Sequence, residues 1–287
     1  MMIEAKLCLS ARANLGEGPL WDGILYWVDI LEGTLHVFDP VANTDTAYAV
    51  GQPVGTVVPR ASGGVMLAVR DGFAAFDLNT GKLEIVANPA DRPPDTRFND
   101  GKCDPAGRFW AGTMTFSGKP CIGSLYRLDA DLTVHKMLDG ICVSNGLGWW
   151  ENTMYYIDSH QRAVTAFDYD PQTGQISHAR TAIRTPEDAG WPDGLAIDVE
   201  GMLWIAHNGV GYVRRWNPHT AEVLAQIDLP ASQVTACAFG GENLDKLYIT
   251  TAAEHMTPEQ REQEPMAGNL FVAEPGVKGI RAYRFKG

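Results

Sequence analysis

Six short apolar segments recur along the chain at nearly even spacing: Leu25-Tyr26-Trp27, Val65-Met66-Leu67, Arg108-Phe109-Trp110, Met154-Tyr155-Tyr156, Met202-Leu203-Trp204 and Leu247-Tyr248-Ile249. Their starts lie 40, 43, 46, 48 and 45 residues apart. That period is too long for a leucine-rich or ankyrin unit and matches one blade of a β-propeller. A second strand follows each segment, at residues 35–39, 72–77, 125–129, 164–168, 213–217 and 270–274, and most end on an apolar residue and a polar turn starter. Pro40, Thr80-Gly81, Pro171, Thr173-Gly174, Pro218 and Pro275 then supply turns toward a further strand. The one short helical candidate, residues 257–263 with Pro258, is an insertion in the sixth repeat. The pattern predicts an all-β fold, a six-bladed β-propeller with four-stranded antiparallel blades around a central channel. It forms a single domain over residues 1–287. An N-terminal strand near residues 6–9 is expected to pair into the last blade beside residues 281–285 and close the ring.

Composition narrows the class of partner. With 45% hydrophobic and 20% charged residues the chain reads as a soluble globular protein. Its formal net charge of −12 repels polyanions, and the 23 Lys and Arg residues form no basic tract, which argues against nucleic acid. No apolar run reaches transmembrane length, so no membrane partner is expected. The segment Met1-Met2-Ile3-Glu4-Ala5-Lys6 lacks the apolar core of a secretory signal. Five dispersed cysteines without a CxxC pair predict reduced thiols in a cytoplasmic protein, with Cys103 a small buried hydrophobe. No apolar stripe calls for a partner, and a monomer is expected.

In a propeller the innermost strand of every blade lines the channel, so equivalent positions converge. Asn99, Asn145, Asp193 and Thr56 each lie nine residues before their apolar segment, Glu17 lies eight before, and Thr235 is the approximate counterpart in the sixth repeat. Glycine follows closely in Glu17-Gly18, Asn99-Asp100-Gly101, Asn145-Gly146 and Asp193-Gly194, as a narrowing ring of strands requires. Carboxylate and amide oxygens without thiolate or imidazole suit a hard divalent cation, and zinc would be tolerated. Two close carboxylates without a cation would repel and raise a pKa. His160, His207 and His255 are expected to serve on the surface or in packing. A serine esterase is disfavoured for want of a Gly-x-Ser-x-Gly elbow.

The motifs extend beyond the slot: Leu15-Gly16-Glu17-Gly18-Pro19-Leu20-Trp21, Arg97-Phe98-Asn99-Asp100-Gly101-Lys102 with the turn Asp104-Pro105-Ala106-Gly107 and then Ala111-Gly112-Thr113-Met114, Ser144-Asn145-Gly146-Leu147-Gly148-Trp149, and Pro192-Asp193-Gly194-Leu195-Ala196-Ile197-Asp198. Through them the sequence resembles the senescence marker protein (regucalcin)/gluconolactonase family of six-bladed propellers. The resemblance implies that Glu17, Asn145 and Asp193 bind one divalent cation, with Arg97 and Asn99 facing the substrate. It also implies hydrolysis of a sugar lactone such as an aldonolactone. Metal preference differs among members, so Ca²⁺, Zn²⁺, Mn²⁺, Mg²⁺ and Fe²⁺ stay open. Some members carry an acidic substrate contact in the loop after Ala-Gly-Thr-Met, whereas Thr115-Phe116-Ser117-Gly118-Lys119-Pro120-Cys121 has no acid.

Lactone opening requires a polarised carbonyl, a water and a stabilised oxyanion. A divalent cation would serve the first and third needs, and Asp193 would assist water attack. Two alternatives use the same residues: a metal-dependent phosphotriesterase or aryl esterase, and a calcium-binding regulatory propeller without turnover.

Overall fold

The computed structural model describes residues 3–117 and 120–287. Met1 and Met2 of the amino terminus, and Gly118 and Lys119 of the acid-free loop, lie outside the described residues. After β1 (Ile3–Leu9), the first antiparallel sheet is β2 (Gly16–Trp21), β3 (Leu25–Asp29), β4 (Thr34–Asp39) and β5 (Thr44–Ala49). The second is β6 (Val54–Pro59), β7 (Val65–Val69), β8 (Gly72–Asp77) and β9 (Lys82–Ala87). The third is β10 (Thr96–Cys103), β11 (Phe109–Thr115), β12 (Gly123–Leu128) and β13 (Val134–Ile141). The fourth is β14 (Ser144–Trp150), β15 (Thr153–Asp158), β16 (Ala163–Tyr169) and β17 (Ile176–Arg184). The remaining strands are β18 (Trp191–Ile197), β19 (Leu203–Asn208), β20 (Tyr212–Trp216), β21 (Val223–Asp228), β22 (Val234–Gly240), β23 (Lys246–Thr251) and β24 (Leu270–Ala273). They join with β1 into one eight-stranded sheet in the order β18-β19-β20-β21-β1-β24-β23-β22. The helix α1 (Pro258–Gln263) stands in the sixth repeat and is capped reciprocally by Thr257 and Gln260.

The fold is thus nearly all β and propeller-like. The first strands form a ring, with β2 against β6, β6 against β10, β10 against β14, β14 against β18, β18 against β22 and β22 against β2. Apolar cores fill the spaces between consecutive four-strand sets. Val28 and Leu35 meet Val57 and Leu67 between the first and second. Trp27 and Phe38 meet Tyr248 and Leu270 where the last set returns to the first. Each such side chain contributes roughly 1.5–3 kcal/mol by burial.

Recurrent buried aspartates brace the hairpins. The turn Asp104–Gly107 closes with a Gly107 N to Asp104 O bond of 2.9 Å, and Gly107 takes φ +86° there. Asp104 Oδ2 accepts from Arg108 Nε at 2.7 Å and from Trp110 Nε1 at 3.0 Å. Asp198 repeats the arrangement, accepting from Arg215 Nε at 2.7 Å and Trp204 Nε1 at 3.0 Å.

Two expectations are corrected. β1 does enter the sheet of the last repeat, but its partners are β24, antiparallel, and β21, parallel, and residues 281–285 are not beside it. The tail instead crosses from a bridge at Asp198–Gly279 to one at Arg60–Phe285, because the Phe285 ring is fully buried among Phe98, Phe109 and Val58. The cysteines are not all reduced: Cys121 and Cys142 form a disulfide, while Cys8, Cys103 and Cys237 are free. The ring brings the loop before β12 against the start of β14, a neighbourhood that dispersed sequence positions do not reveal. Cys103 and Cys237 are buried hydrophobes whose thiol pKa values are raised by burial.

Candidate functional site

Every first strand carries a register shift at the slot: between Glu17 and Leu20, Val54 and Thr56, Phe98 and Gly101, Ser144 and Leu147, Pro192 and Leu195, and Val234 and Ala236. A bulge removes a residue from the ladder and re-aims its side chain. The following glycine is required by close approach, since a Cβ on Gly146 would lie 2.7 Å from the Asp193 carbonyl oxygen. Partners on the second strands pin the entry to three of these bulges. Asp29, opposite Gly16, accepts from Asn14 N at 2.7 Å and Leu15 N at 3.1 Å. Asp158, opposite Ser144, accepts from Cys142 N at 3.1 Å and Val143 N at 3.0 Å. His207 takes this register opposite Pro192 and donates from Nδ1 to Ala189 O at 2.8 Å, while its Nε2 accepts from Trp216 Nε1 at 3.2 Å. Burial lowers its pKa to about 4, so it is a neutral packing residue.

Glu17, Arg97, Asn99, Asp100, Asn145 and Asp193 are all buried at the bulged end of the ring. Glu17 Oε2 accepts from Gly18 N at 2.9 Å. Asn208 Nδ2 donates to Asp193 Oδ2 at 3.1 Å, and Asn145 Nδ2 donates to Ser159 Oγ at 3.0 Å. Ser159 Oγ in turn donates to Pro192 O at 2.8 Å, fixing the Asn145 amide with its oxygen away from this chain. Among the described residues, two buried oxygens of this site have no hydrogen-bond partner: Asn145 Oδ1 and Asp193 Oδ1. Such atoms are rare and costly unless something else satisfies them. Arg97 Nη1 donates to Asn99 Oδ1 at 2.6 Å and to Phe98 O at 3.2 Å, and Asn99 Nδ2 donates to Ser144 O at 2.8 Å. Asn99 is thereby a brace for Arg97 as well as a group at the mouth.

The electrostatics are those of crowded buried acids. Burial, then the fields of Asp193 and Asp100, push the Glu17 carboxyl well above its ordinary range. Burial pushes Asp193 from 3.8 to about 8, with Asn208 opposing the rise and the field of Asp100 adding to it. Burial also raises Asp100, which Lys102 opposes. Lys102 donates its ammonium to Leu195 O deeper in the channel. An all-oxygen set with unpartnered Asn145 Oδ1 and Asp193 Oδ1 fits a hard divalent cation, which would relieve the repulsion between Glu17 and Asp193.

The structure brings Glu17, Asn145, Asp193, Arg97 and Asn99 to one mouth. Thr56 and Thr235 occupy their slots but spend their hydroxyls on neighbouring strands, on Gly101 O at 2.9 Å and Gly16 O at 2.5 Å. Sequence counting missed Asn208 and Ser159, which lie beyond the innermost strands. His160 packs near Trp191, with ring centroids 5.5 Å apart, and His255 is exposed beside Glu254.

Comparison with known proteins identifies the family. Residues 15–253 match the SMP-30/Gluconolactonase/LRE-like family. A Bacillus subtilis (strain 168) protein named as a sugar lactone lactonase, YvrE, is 41% identical over 290 residues, covering 99% of both chains. Regucalcin of Danio rerio is 40% identical over 293 residues, again covering 99% of both. A crystal structure of a calcium-binding protein, regucalcin from Agrobacterium tumefaciens, superposes with a TM-score of 0.94 at 27% identity, covering 100% of this chain and 99% of that one. With a match through nearly all of the repeats and relatives aligned end to end, the chain belongs to the SMP-30/gluconolactonase/LRE-like family.

Proposed function

We propose that the protein hydrolyses a sugar (aldono-)lactone to the corresponding aldonic acid, using a divalent cation held by Glu17, Asn145 and Asp193. The observation that carries this reading is the pair of unpartnered buried oxygens, Asn145 Oδ1 and Asp193 Oδ1, at a mouth that also holds a buried arginine. The relatives named sugar lactone lactonase and regucalcin support the substrate class and the cation respectively. When bound, the cation supplies Lewis acidity toward the lactone carbonyl. The Asp193 carboxylate, positioned by Asn208, accepts a proton from the attacking water. The water oxygen bonds to the acyl carbon, the ring carbon–oxygen bond breaks, and the proton passes to the departing ring oxygen. Arg97 keeps donors beyond those given to Asn99 and Phe98, and these meet sugar hydroxyls together with Asn99.

We also read the eight-stranded sheet as two blades linked through β1, which makes the ring a six-bladed propeller. Its support is the closed circuit of six first strands. A second functional reading, calcium binding without turnover, is favoured by the description of the Agrobacterium tumefaciens relative as a calcium-binding protein. One experiment separates the two. Aldonolactone opening is followed by pH-stat with chelated enzyme and with Ca²⁺, Mg²⁺, Mn²⁺, Zn²⁺ or Fe²⁺ restored. Chelation is expected to abolish turnover and one or more cations to restore it. Tight cation binding without opening of any aldonolactone would overturn the lactonase reading.

A further inference from the structure

The third and sixth repeats face one another across the ring of first strands, and each carries a charged residue near the bulged end. Arg97 comes from β10, and Glu254 comes from the segment that follows β23. Three main-chain contacts fix that segment. Ala252 bridges to Leu15, Ala253 N donates to Asn14 O at 3.0 Å, and Ala252 N donates to Gln233 O at 2.9 Å. Residues 252–254 therefore run beside the strand that carries Glu17. Glu254 itself is clamped at both main-chain groups, since Glu254 N donates to Gln233 Oε1 at 3.1 Å and Gln233 Nε2 donates to Glu254 O at 2.9 Å. A backbone held this firmly presents its side chain in a fixed place.

The Glu254 carboxylate is underused. Among the described residues its one ion-pair partner is His255 Nε2 at 3.4 Å, and that histidine is 89% exposed. Arg97, likewise, has no carboxylate within 4.0 Å among the described residues. Burial lowers the Arg97 pKa, and the carboxylate that opposes this most strongly is Glu254, ahead of Glu17 and Asp193. An acceptor and a donor on opposed repeats, each left with hydrogen-bonding capacity, suit a ligand with vicinal hydroxyls that accepts from one and donates to the other.

We infer that Glu254 is a substrate-binding, specificity-determining residue: its carboxylate accepts a hydrogen bond from a hydroxyl of a polyhydroxylated lactone whose other hydroxyls face Arg97. This inference rests on the lactonase reading and narrows it to substrates that carry hydroxyls away from the reacting carbonyl. It also places the acid missing from residues 115–121 on the opposite side of the mouth.

The test compares D-glucono-1,5-lactone with δ-valerolactone, the same ring without hydroxyls, in wild type, Glu254→Gln and Glu254→Ala. The expected result is a fall of about ten- to hundred-fold in the ratio of kcat/KM for the sugar lactone to that for valerolactone in Glu254→Ala. The loss should reside in KM, and Glu254→Gln, which keeps one acceptor oxygen, should lose less. An unchanged ratio in both variants would overturn the inference. If wild type opens neither lactone, the lactonase reading fails by itself. Glu254 is then judged by calorimetric titration with the polyol D-glucitol, where weaker binding in Glu254→Ala upholds a hydroxyl contact and equal binding overturns it. Cation titration of each variant, expected to match wild type, shows that the neighbouring site is intact, and a lost cation site would mean that Glu254 acts structurally.

Discussion

Asn208→Ala tests whether the acid at the centre of the site depends on a neighbour that makes no contact with the reacting atoms. Asn208 ends β19, and its Nδ2 donates to Asp193 Oδ2 at 3.1 Å. Asp193 is buried and its other oxygen has no hydrogen-bond partner among the described residues, so this bond helps to orient the carboxylate. A buried hydrogen bond to a charged group is worth about 1.5–3 kcal/mol, which corresponds to roughly ten- to hundred-fold in cation affinity. The pKa argument has the same sign. Asn208 opposes the rise of the Asp193 pKa, so its removal raises that pKa further and makes the cation compete against a more tightly held proton. The assay is calorimetric titration of chelated protein with Ca²⁺ and Mn²⁺ near neutral pH, with circular dichroism to verify folding. Affinity should drop by the stated factor and recover partly in alkaline buffer, where the proton competes less. An Asn208→Ala protein that binds both cations within about two-fold of wild type would refute the reasoning, since a charged hydrogen bond of this kind cannot be so cheap.

Two further outcomes are expected. Asp193 has a folded-state pKa raised from 3.8 to about 8, so its neutral form is the one favoured by folding. The corresponding stability is fully present below the unfolded value and is lost as pH rises toward the folded one. Metal-free protein should therefore become less stable between about pH 4 and pH 8, by about 1.4 kcal/mol per pH unit for one such group. Asp193→Asn should flatten that slope in urea melts, and equal slopes in the two proteins would exclude Asp193 as the source. Phe285→Ala should cost about 3–5 kcal/mol in denaturant unfolding, because the ring is wholly buried between the second and third sheets. A loss below about 1 kcal/mol would mean that the tail is not part of the core.

How much of this was legible in the sequence depended on which faces of a strand are buried. Strands such as β3, β7 and β15 are packed on both sides, so Leu25–Asp29 and its counterparts read as continuous apolar runs and set the period. The outer strands were visible only through the turns leading to them. Thr44–Ala49, with the pattern TDTAYA, is largely exposed and carries little hydrophobic signal. Equivalent spacing was enough to gather Glu17, Asn99, Asn145 and Asp193, because a ring converts equal register into proximity. Asn208 and Glu254 escaped because one ends a second strand and the other follows one, where no repeat position marks them. The disulfide escaped for a related reason. Cys121 and Cys142 are separated by 21 residues and meet only when the loop before β12 is folded against the entrance to β14. Phe285 offered no signal of its own beyond being an aromatic in a polar tail.

That tail also shapes the far end of the ring. Residues Ile280–Tyr283 line, with Trp21, Lys102, Trp149, Ile197 and Phe239, a small cavity of about 80 Å³ at the end of the first strands remote from Glu17 and Asp193. The last residues therefore lie at the far end of the ring, on the side away from the buried acids. A change in the tail, such as loss of the Phe285 ring, would therefore alter the far end of the ring as well as the core between the second and third sheets. The chain's last residues thus serve as both wedge and lining.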